Sequence, residues 1–119
     1  MKEGAIQSKS FAFAVRIVNL YKFLCAEKKE YVLSKQLLRS GTAIGALVRE
    51  ADQAESKADF VHKLAIALKE ANETEYWLEL LRETKYLDPT AFSSIHSDVL
   101  ELLKLLTSII KSTKQGMGK

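Results

Sequence analysis

Apolar residues recur three or four positions apart, which is helical spacing, along almost the whole chain of 119 residues. One face of the segment 32–54 carries Leu33, Leu37, Ile44, Val48 and Ala51. One face of the segment 57–86 carries Phe60, Leu64, Ala67, Ala71, Leu78 and Leu81. This periodicity predicts helices over about 8–28, 32–54, 57–86 and 89–113, followed by a frayed C-terminal tail.

Capping signals mark the starts of the third and fourth helices. Ser56 can cap the third helix while Asp59, three residues later, returns a hydrogen bond. Asp88 followed by Pro89 is typical of the start of a helix. The connections are short, so consecutive helices should run antiparallel. The sequence therefore predicts an all-α protein, a single domain over residues 1–119 folded as an antiparallel up-down-up-down four-helix bundle.

Helices one and three carry more apolar residues than one bundle core needs. On helix one a first stripe, expected to face the core, consists of Phe11, Val15, Val18 and Cys25. A second stripe, about 120° away, consists of Phe13, Ile17, Leu20 and Leu24. The extra apolar residues of helix three are Ile66, Trp77 and Leu80. The pattern predicts that these second stripes form an interface between copies of the chain; a wide core face is the alternative.

Two glycines lie in the middle of helix two. Gly41 and Gly45 each cost about 1 kcal/mol relative to alanine in a helix interior. We expect this cost to be offset by the close approach of a neighbouring helix. A phosphate-binding loop is the weaker alternative, because the spacing matches none of the glycine-rich nucleotide motifs.

Composition narrows the class of protein. Apolar residues make up 47% and charged residues 28% of the chain, which is too apolar for a disordered protein. One proline and five glycines are too few for a loop-rich β architecture. The single Cys25 excludes a disulfide framework and a four-cysteine zinc site. Without a membrane-spanning run or a signal peptide in the sequence, we expect a cytoplasmic protein.

Catalytic and metal-binding residue types lack the spacings that their chemistry requires. Asp59 and His62 stand three residues apart, but a di-iron bundle needs a second Glu-x-x-His motif, and Ser93 occupies that position before His96. No arginine and histidine have the Arg-x-x-x-x-His spacing of helical ribonuclease domains. We therefore expect no catalytic, cofactor-binding or metal-binding residues, and no enzyme activity.

The acidic residues of helix three divide into two groups. An i, i+4 row that is expected to face solvent consists of Glu75, Glu79 and Glu83. Glu73 instead lies beside the apolar Trp77, so it needs a cation if it is buried, and Arg39 is a candidate partner.

Basic residues recur along helices one and four. In an up-and-down bundle the start of helix one lies beside the end of helix four. With only Glu3 opposing them, the residues expected to gather there are Lys2, Lys9, Arg16, Lys111, Lys114 and Lys119. Four candidates for nucleic-acid binding follow, namely Lys9, Arg16, Lys111 and Lys114. An ordinary solvated face is the alternative, since the net charge of +3 permits phosphate binding without requiring it.

The segment 36–81 carries a family resemblance. Gln-Leu-Leu-Arg-Ser at 36–40 and Lys-Glu-Ala-x-Glu-Thr-x-Tyr-Trp-Leu at 69–78, where x is an unspecified residue, resemble the four-helix-bundle family encoded within intervening sequences of bacterial 23S ribosomal RNA genes. Ala43 and Leu47 depart from it, because members often carry Ser and Asn there. A related branch is the accessory variability protein of diversity-generating retroelements. That relationship implies a homopentamer that binds nucleic acid and, in a retroelement, a reverse transcriptase.

The leading hypothesis is thus a non-catalytic, homo-oligomeric four-helix bundle that binds RNA or DNA through basic surfaces. No cofactor or membrane partner is expected. The alternative is a protein-interaction scaffold that docks another polypeptide through its second apolar stripe.

Overall fold

The computed structural model describes residues 4–117, which form four α-helices and no strand. Helix α1 spans Ala5–Ala26, α2 Leu33–Ala51, α3 Lys57–Glu83 and α4 Pro89–Met117. The prediction of an all-α chain with four helices is confirmed. The prediction of a frayed tail is wrong for residues 114–117, which continue α4. Residues 118–119 lie outside the described range.

Each helix packs against two neighbours, as the short connections predict. Helix α1 contacts α2 and α4, and α3 contacts the same two helices, so the four helices enclose one core. The contact between α1 and α4 is the least extensive of the four. Within residues 4–117, no helix combines the length and apolar composition that a bilayer span requires.

The predicted caps form at both α3 and α4. The Ser56 hydroxyl accepts a hydrogen bond from the Asp59 amide at 3.0 Å, and the Asp88 carboxylate accepts one from the Ala91 amide at 2.9 Å. The Asp59 carboxylate accepts from the amide of Glu55 at 3.4 Å, one residue before the position that a capping box uses.

The cap of α2 is a glutamate that the sequence pattern did not reveal. The carboxylate of Glu30, a residue only 8% exposed, accepts hydrogen bonds from the amides of Val32, Leu33 and Ser34 at 3.1, 3.0 and 2.7 Å. Burial acts to raise the pKa of Glu30, but these backbone donors outweigh it and hold the pKa below its ordinary value. The ionised carboxylate therefore satisfies amides that would otherwise lack partners at the start of the helix.

The core contains the predicted faces of α2 and α3. Leu37, Ile44, Val48 and Ala51 of α2 are at most 2% exposed. The buried residues of the predicted α3 face are Leu64, Ala67, Ala71, Leu78 and Leu81. Leu33 and Phe60 are half-buried at the edges of this core.

The two stripes of α1 are the reverse of the prediction. Phe13, Ile17 and Leu24 are at most 1% exposed and lie in the core of a single chain. Phe11 and Val15, which were expected there, are 59% and 47% exposed. The assignment of Phe13, Ile17 and Leu24 to an interface between subunits is therefore wrong.

The glycines of α2 account for this rotation of α1. A Cβ atom on Gly41 would lie 2.7 Å from Cγ1 of Ile17, and one on Gly45 would lie 3.2 Å from the carbonyl oxygen of Ser10. The predicted close approach of a neighbouring helix is confirmed, and that helix is α1. Because α1 comes closest to α2 at Ser10 and Ile17, the face that carries these residues must point inward.

We predict that Gly41→Ala destabilises the protein by about 1–3 kcal/mol. The added methyl group overpacks the contact with Ile17, and the cost of overpacking exceeds the gain in helix propensity. Gly116→Ala is the matched control, since a Cβ there meets nothing within 4 Å and should stabilise slightly. Urea denaturation of both variants measures the difference. A Gly41→Ala variant as stable as Gly116→Ala would contradict the close approach.

We also predict that Glu30→Gln costs about 1–2 kcal/mol at pH 7. Because the folded-state pKa of Glu30 is lowered, its contribution is present above the ordinary pKa of 4.5 and is lost as the pH falls through the folded value. The difference in urea midpoint between wild type and Glu30→Gln should therefore shrink below about pH 4.5. Glu27→Gln, at an exposed position nearby, is the control. A difference that stays constant down to pH 3 would refute this role.

Candidate nucleic-acid interface

Two of the four predicted nucleic-acid-binding residues form ion pairs between α1 and α4. The Lys9 ammonium lies 3.1 Å from the Glu101 carboxylate, and the Arg16 guanidinium lies 2.7 Å from the Asp98 carboxylate. Arg16 also donates to the carbonyl and hydroxyl oxygens of Ser94 at 3.3 and 3.0 Å. These partners neutralise Lys9 and Arg16 within the chain itself.

The expected gathering of basic residues at one end is therefore wrong for Lys9 and Arg16. Glu101 and Asp98 of α4 oppose them, which the linear pattern did not show. Lys111 lies ten residues beyond Glu101, about 15 Å farther along the helix axis. The remaining members of the predicted group, Lys2 and Lys119, and the opposing Glu3 lie outside the described residues.

Within the described residues, the members of the predicted basic rows that have no ion-pair partner lie on the C-terminal half of α4. Lys104, Lys111 and Lys114 are exposed, and none has a carboxylate within 4 Å among residues 4–117. Lys111 and Lys114 border a shallow groove between α3 and α4 whose apolar floor includes Leu68 and Ile110. We call these three residues the α4 lysines.

A partly apolar groove lies on the opposite side of the bundle, between α1 and α2. Its volume is about 870 Å³, and Phe11, Ala14 and Ala46 contribute apolar lining. The guanidinium of Arg49 stands 5.9 Å from the centre of the Phe11 ring. Val15 continues the exposed row of Phe11 one helical turn later.

The other predicted interface residues are half-buried. Leu20 and Trp77 pack against the edge of the core, and Ile66 and Leu80 are also of intermediate exposure. Part of the apolar surface of each residue is therefore buried within the chain, and the four do not form a fully exposed stripe.

A polar network joins α2 to α3. The carboxylate of Glu73 binds the Arg39 guanidinium and accepts a hydrogen bond from the Trp77 indole at 2.9 Å. Arg39 also lies 3.3 Å from Glu70. The Trp77 donor and then the Arg39 cation hold the pKa of Glu73 below its ordinary value. The suggested partnership of Arg39 with Glu73 is thus present, at a half-exposed position.

A second cross-helix cluster lies between α3 and α4. The Nε2 atom of His96 lies 2.8 Å from the carboxylate of Glu75, and Glu79 stands one turn away on the same helix. The prediction that this whole acidic row faces solvent is wrong for Glu75, which is half-buried. The spacing of residues along a helix gives no signal for a metal-binding cluster that is divided between two helices.

The profile of the family described as 23S rRNA-intervening sequence protein matches residues 2–108. The chain belongs to this family. Its fold is that of a solved protein of unknown function from the S23 ribosomal protein family of Bacteroides thetaiotaomicron. The two sequences are 64% identical, the match covers 90% of this chain and 99% of that one, and the TM-score is 0.89. No curated protein matches the chain.

In this 23S rRNA-intervening sequence protein, the two segments that carry the family resemblance face each other. Arg39 meets Glu73 at the surface, and the Thr74 hydroxyl donates to the buried Ser40 hydroxyl at 2.9 Å beneath them. Ala43 and Leu47, which depart from the resemblance, are both half-buried on α2. The family motif thus specifies contact between α2 and α3. The descriptions of the family and of the solved relative name no catalytic activity.

Proposed function

We propose that the protein is a non-catalytic, homo-oligomeric bundle that binds RNA or DNA in the cytoplasm, with the α4 lysines as its phosphate-binding surface. The observation that carries the proposal is the grouping of Lys104, Lys111 and Lys114 on one helix, with no carboxylate within 4 Å of them among residues 4–117. The resemblance to the accessory variability proteins of retroelements supports a nucleic-acid ligand. This surface replaces the one expected around Lys9 and Arg16, whose cations already have carboxylate partners.

The positions of the α4 lysines suit a polyanionic strand. Lys104 and Lys111 are about 10 Å apart along the helix axis, and Lys114 lies about 4.5 Å farther on. Lysine binds phosphate as a point charge on a flexible stem, so it tolerates variation in backbone geometry. Such a surface would bind nucleic acid with little sequence preference.

Self-association would use the exposed row of α1. Phe11 lines the groove between α1 and α2, and Val15 is exposed one helical turn later. Covering one large apolar side chain contributes about 1.5–3 kcal/mol. A contact between unlike faces closes into a ring when its rotation allows. The number five follows from the resemblance to the retroelement accessory proteins.

A protein-interaction scaffold is the second candidate, and it uses the same groove. A different polypeptide, such as a reverse transcriptase if the gene lies in a retroelement, would then cover Phe11 and Val15. Exposed aromatic and aliphatic residues beside an arginine are common at protein interfaces.

We predict that the triple variant Lys104→Glu, Lys111→Glu, Lys114→Glu loses nucleic-acid binding while its helicity stays unchanged. Each lost phosphate contact should lower the slope of log K against log salt by about 0.7–0.9. Fluorescence anisotropy with a generic RNA and a generic DNA duplex, titrated at several salt concentrations, measures both quantities.

The matched control reverses three other lysines, Lys28, Lys29 and Lys35, which are exposed near the junction of α1 and α2. It changes the net charge by the same amount and should retain most of the binding. Equal loss in both triple variants would show that net charge alone governs the interaction. Full binding by the α4 variant would refute the assignment.

We predict that Phe11→Glu or Val15→Glu converts an oligomer into folded monomers, because a charge at these exposed positions blocks association without entering the core. Ile17→Glu, at a fully buried position, should instead unfold the chain. Light scattering gives the mass and circular dichroism the helicity. A wild-type mass of one 13.4 kDa chain at high micromolar concentration would rule out the oligomer.

A further inference from the structure

Three side chains with metal-binding atoms converge between α3 and α4, away from the α4 lysines. Glu75 and Glu79 of α3 and His96 of α4 each place one ligand atom within 4.8 Å of the others. Two carboxylates and one imidazole are the types of ligand that proteins use for divalent transition metals. The histidine distinguishes this cluster from an ordinary row of acidic residues on a helix.

The imidazole of His96 is held in place before any ion binds. Its ring stacks on Phe92, with the ring centres 4.6 Å apart and the planes inclined by 19°. Phe92 is itself only 5% exposed, and its ring also contacts the guanidinium of Arg82, 4.2 Å from the centre. This stacking directs Nε2 of His96 toward Glu75.

The geometry needs two small adjustments to hold an ion. Bonds of about 2.0–2.2 Å to a metal separate neighbouring ligand atoms by roughly 3.0–3.5 Å. The Nε2 atom of His96 and the Glu75 carboxylate are 2.8 Å apart, so they must separate slightly. Glu79 is exposed and has no basic group within 4 Å among residues 4–117, so its carboxylate can rotate inward by the remaining distance.

The ligand set selects the ion. Mg²⁺ and Ca²⁺ prefer oxygen ligands, whereas imidazole nitrogen favours Zn²⁺ and its neighbours in the first transition series. Three protein ligands leave a coordination position open for water or for a group from a bound molecule.

We propose that Glu75, Glu79 and His96 bind one Zn²⁺ ion per chain and that this ion ties α3 to α4. The cluster is half-buried at Glu75 and His96 and open at Glu79, so an ion can enter from solvent. Binding replaces the hydrogen bond between His96 and Glu75 with two metal–ligand bonds and adds a third from Glu79, and the Nε2 proton of His96 is released to water or exchanged for one on Nδ1.

The test uses the full chain without a histidine tag, freed of metal by chelation. Isothermal titration calorimetry with ZnCl₂ should show one saturable site per chain. Saturating Zn²⁺ should raise the melting temperature by about 5–10 °C, because the ion binds the folded state alone. Co²⁺ should produce visible d–d absorption that Zn²⁺ abolishes.

Substitutions identify the ligands. Glu79→Gln and His96→Asn should each weaken Zn²⁺ binding by at least about tenfold and remove most of the thermal shift. The matched controls are Glu83→Gln, one turn farther along the same acidic row, and His62→Asn at the other histidine, which is exposed; both should bind as wild type does.

Glu79→Gln decides the outcome, because an exposed side chain can be changed without loss of the fold. Absence of saturable Zn²⁺ binding would overturn the proposal and leave a simple hydrogen bond between His96 and Glu75. Unchanged affinity in Glu79→Gln, or equal competition by Mg²⁺, would also overturn it.

Discussion

The close approach of α1 to α2 is the contact on which the rest of the structure depends. Gly41 leaves room for Ile17, and Gly45 allows the backbone of α1 at Ser10 to come near. Each glycine lowers the helix propensity of α2 but allows α1 and α2 to pack densely. At Gly41 even one added methyl group would force a neighbouring atom to shift. This contact fixes the rotation of α1 about its own axis.

The rotation of α1 in turn decides which of its side chains are exposed and which charged residues of α4 its cations meet. It turns Phe11 and Val15 outward and places Lys9 and Arg16 against the acidic residues of α4. Half-exposed ion pairs of this kind add little stability, but they remove two cations from any phosphate-binding surface. Among the described residues of the predicted basic group, those without a carboxylate partner consequently lie on α4, and the exposed Phe11 lines the groove between α1 and α2.

Polar clusters on α3 point to both of its neighbours. Glu73, which accepts a hydrogen bond from Trp77, binds Arg39 of α2 on one side, while Glu75 meets His96 of α4 on the other. Residues two positions apart on a helix diverge by about 200° around its axis, so one short acidic segment serves two interfaces. The family motif includes the side that faces α2, with Arg39 in one segment and Glu73 and Trp77 in the other.

The sequence by itself determined the number of helices, the caps at Ser56 and Asp88, and the core faces of α2 and α3. It also determined that a neighbouring helix approaches α2 closely at its two glycines. Local spacing and capping chemistry act within a few residues, so they can be read along the chain. Only the tertiary structure decided which stripe of α1 is buried, that Glu101 and Asp98 neutralise its basic residues, and that His96 meets Glu75. Periodicity gives the angle between two faces of a helix, but the direction in which either face points depends on neighbours that are distant in the chain.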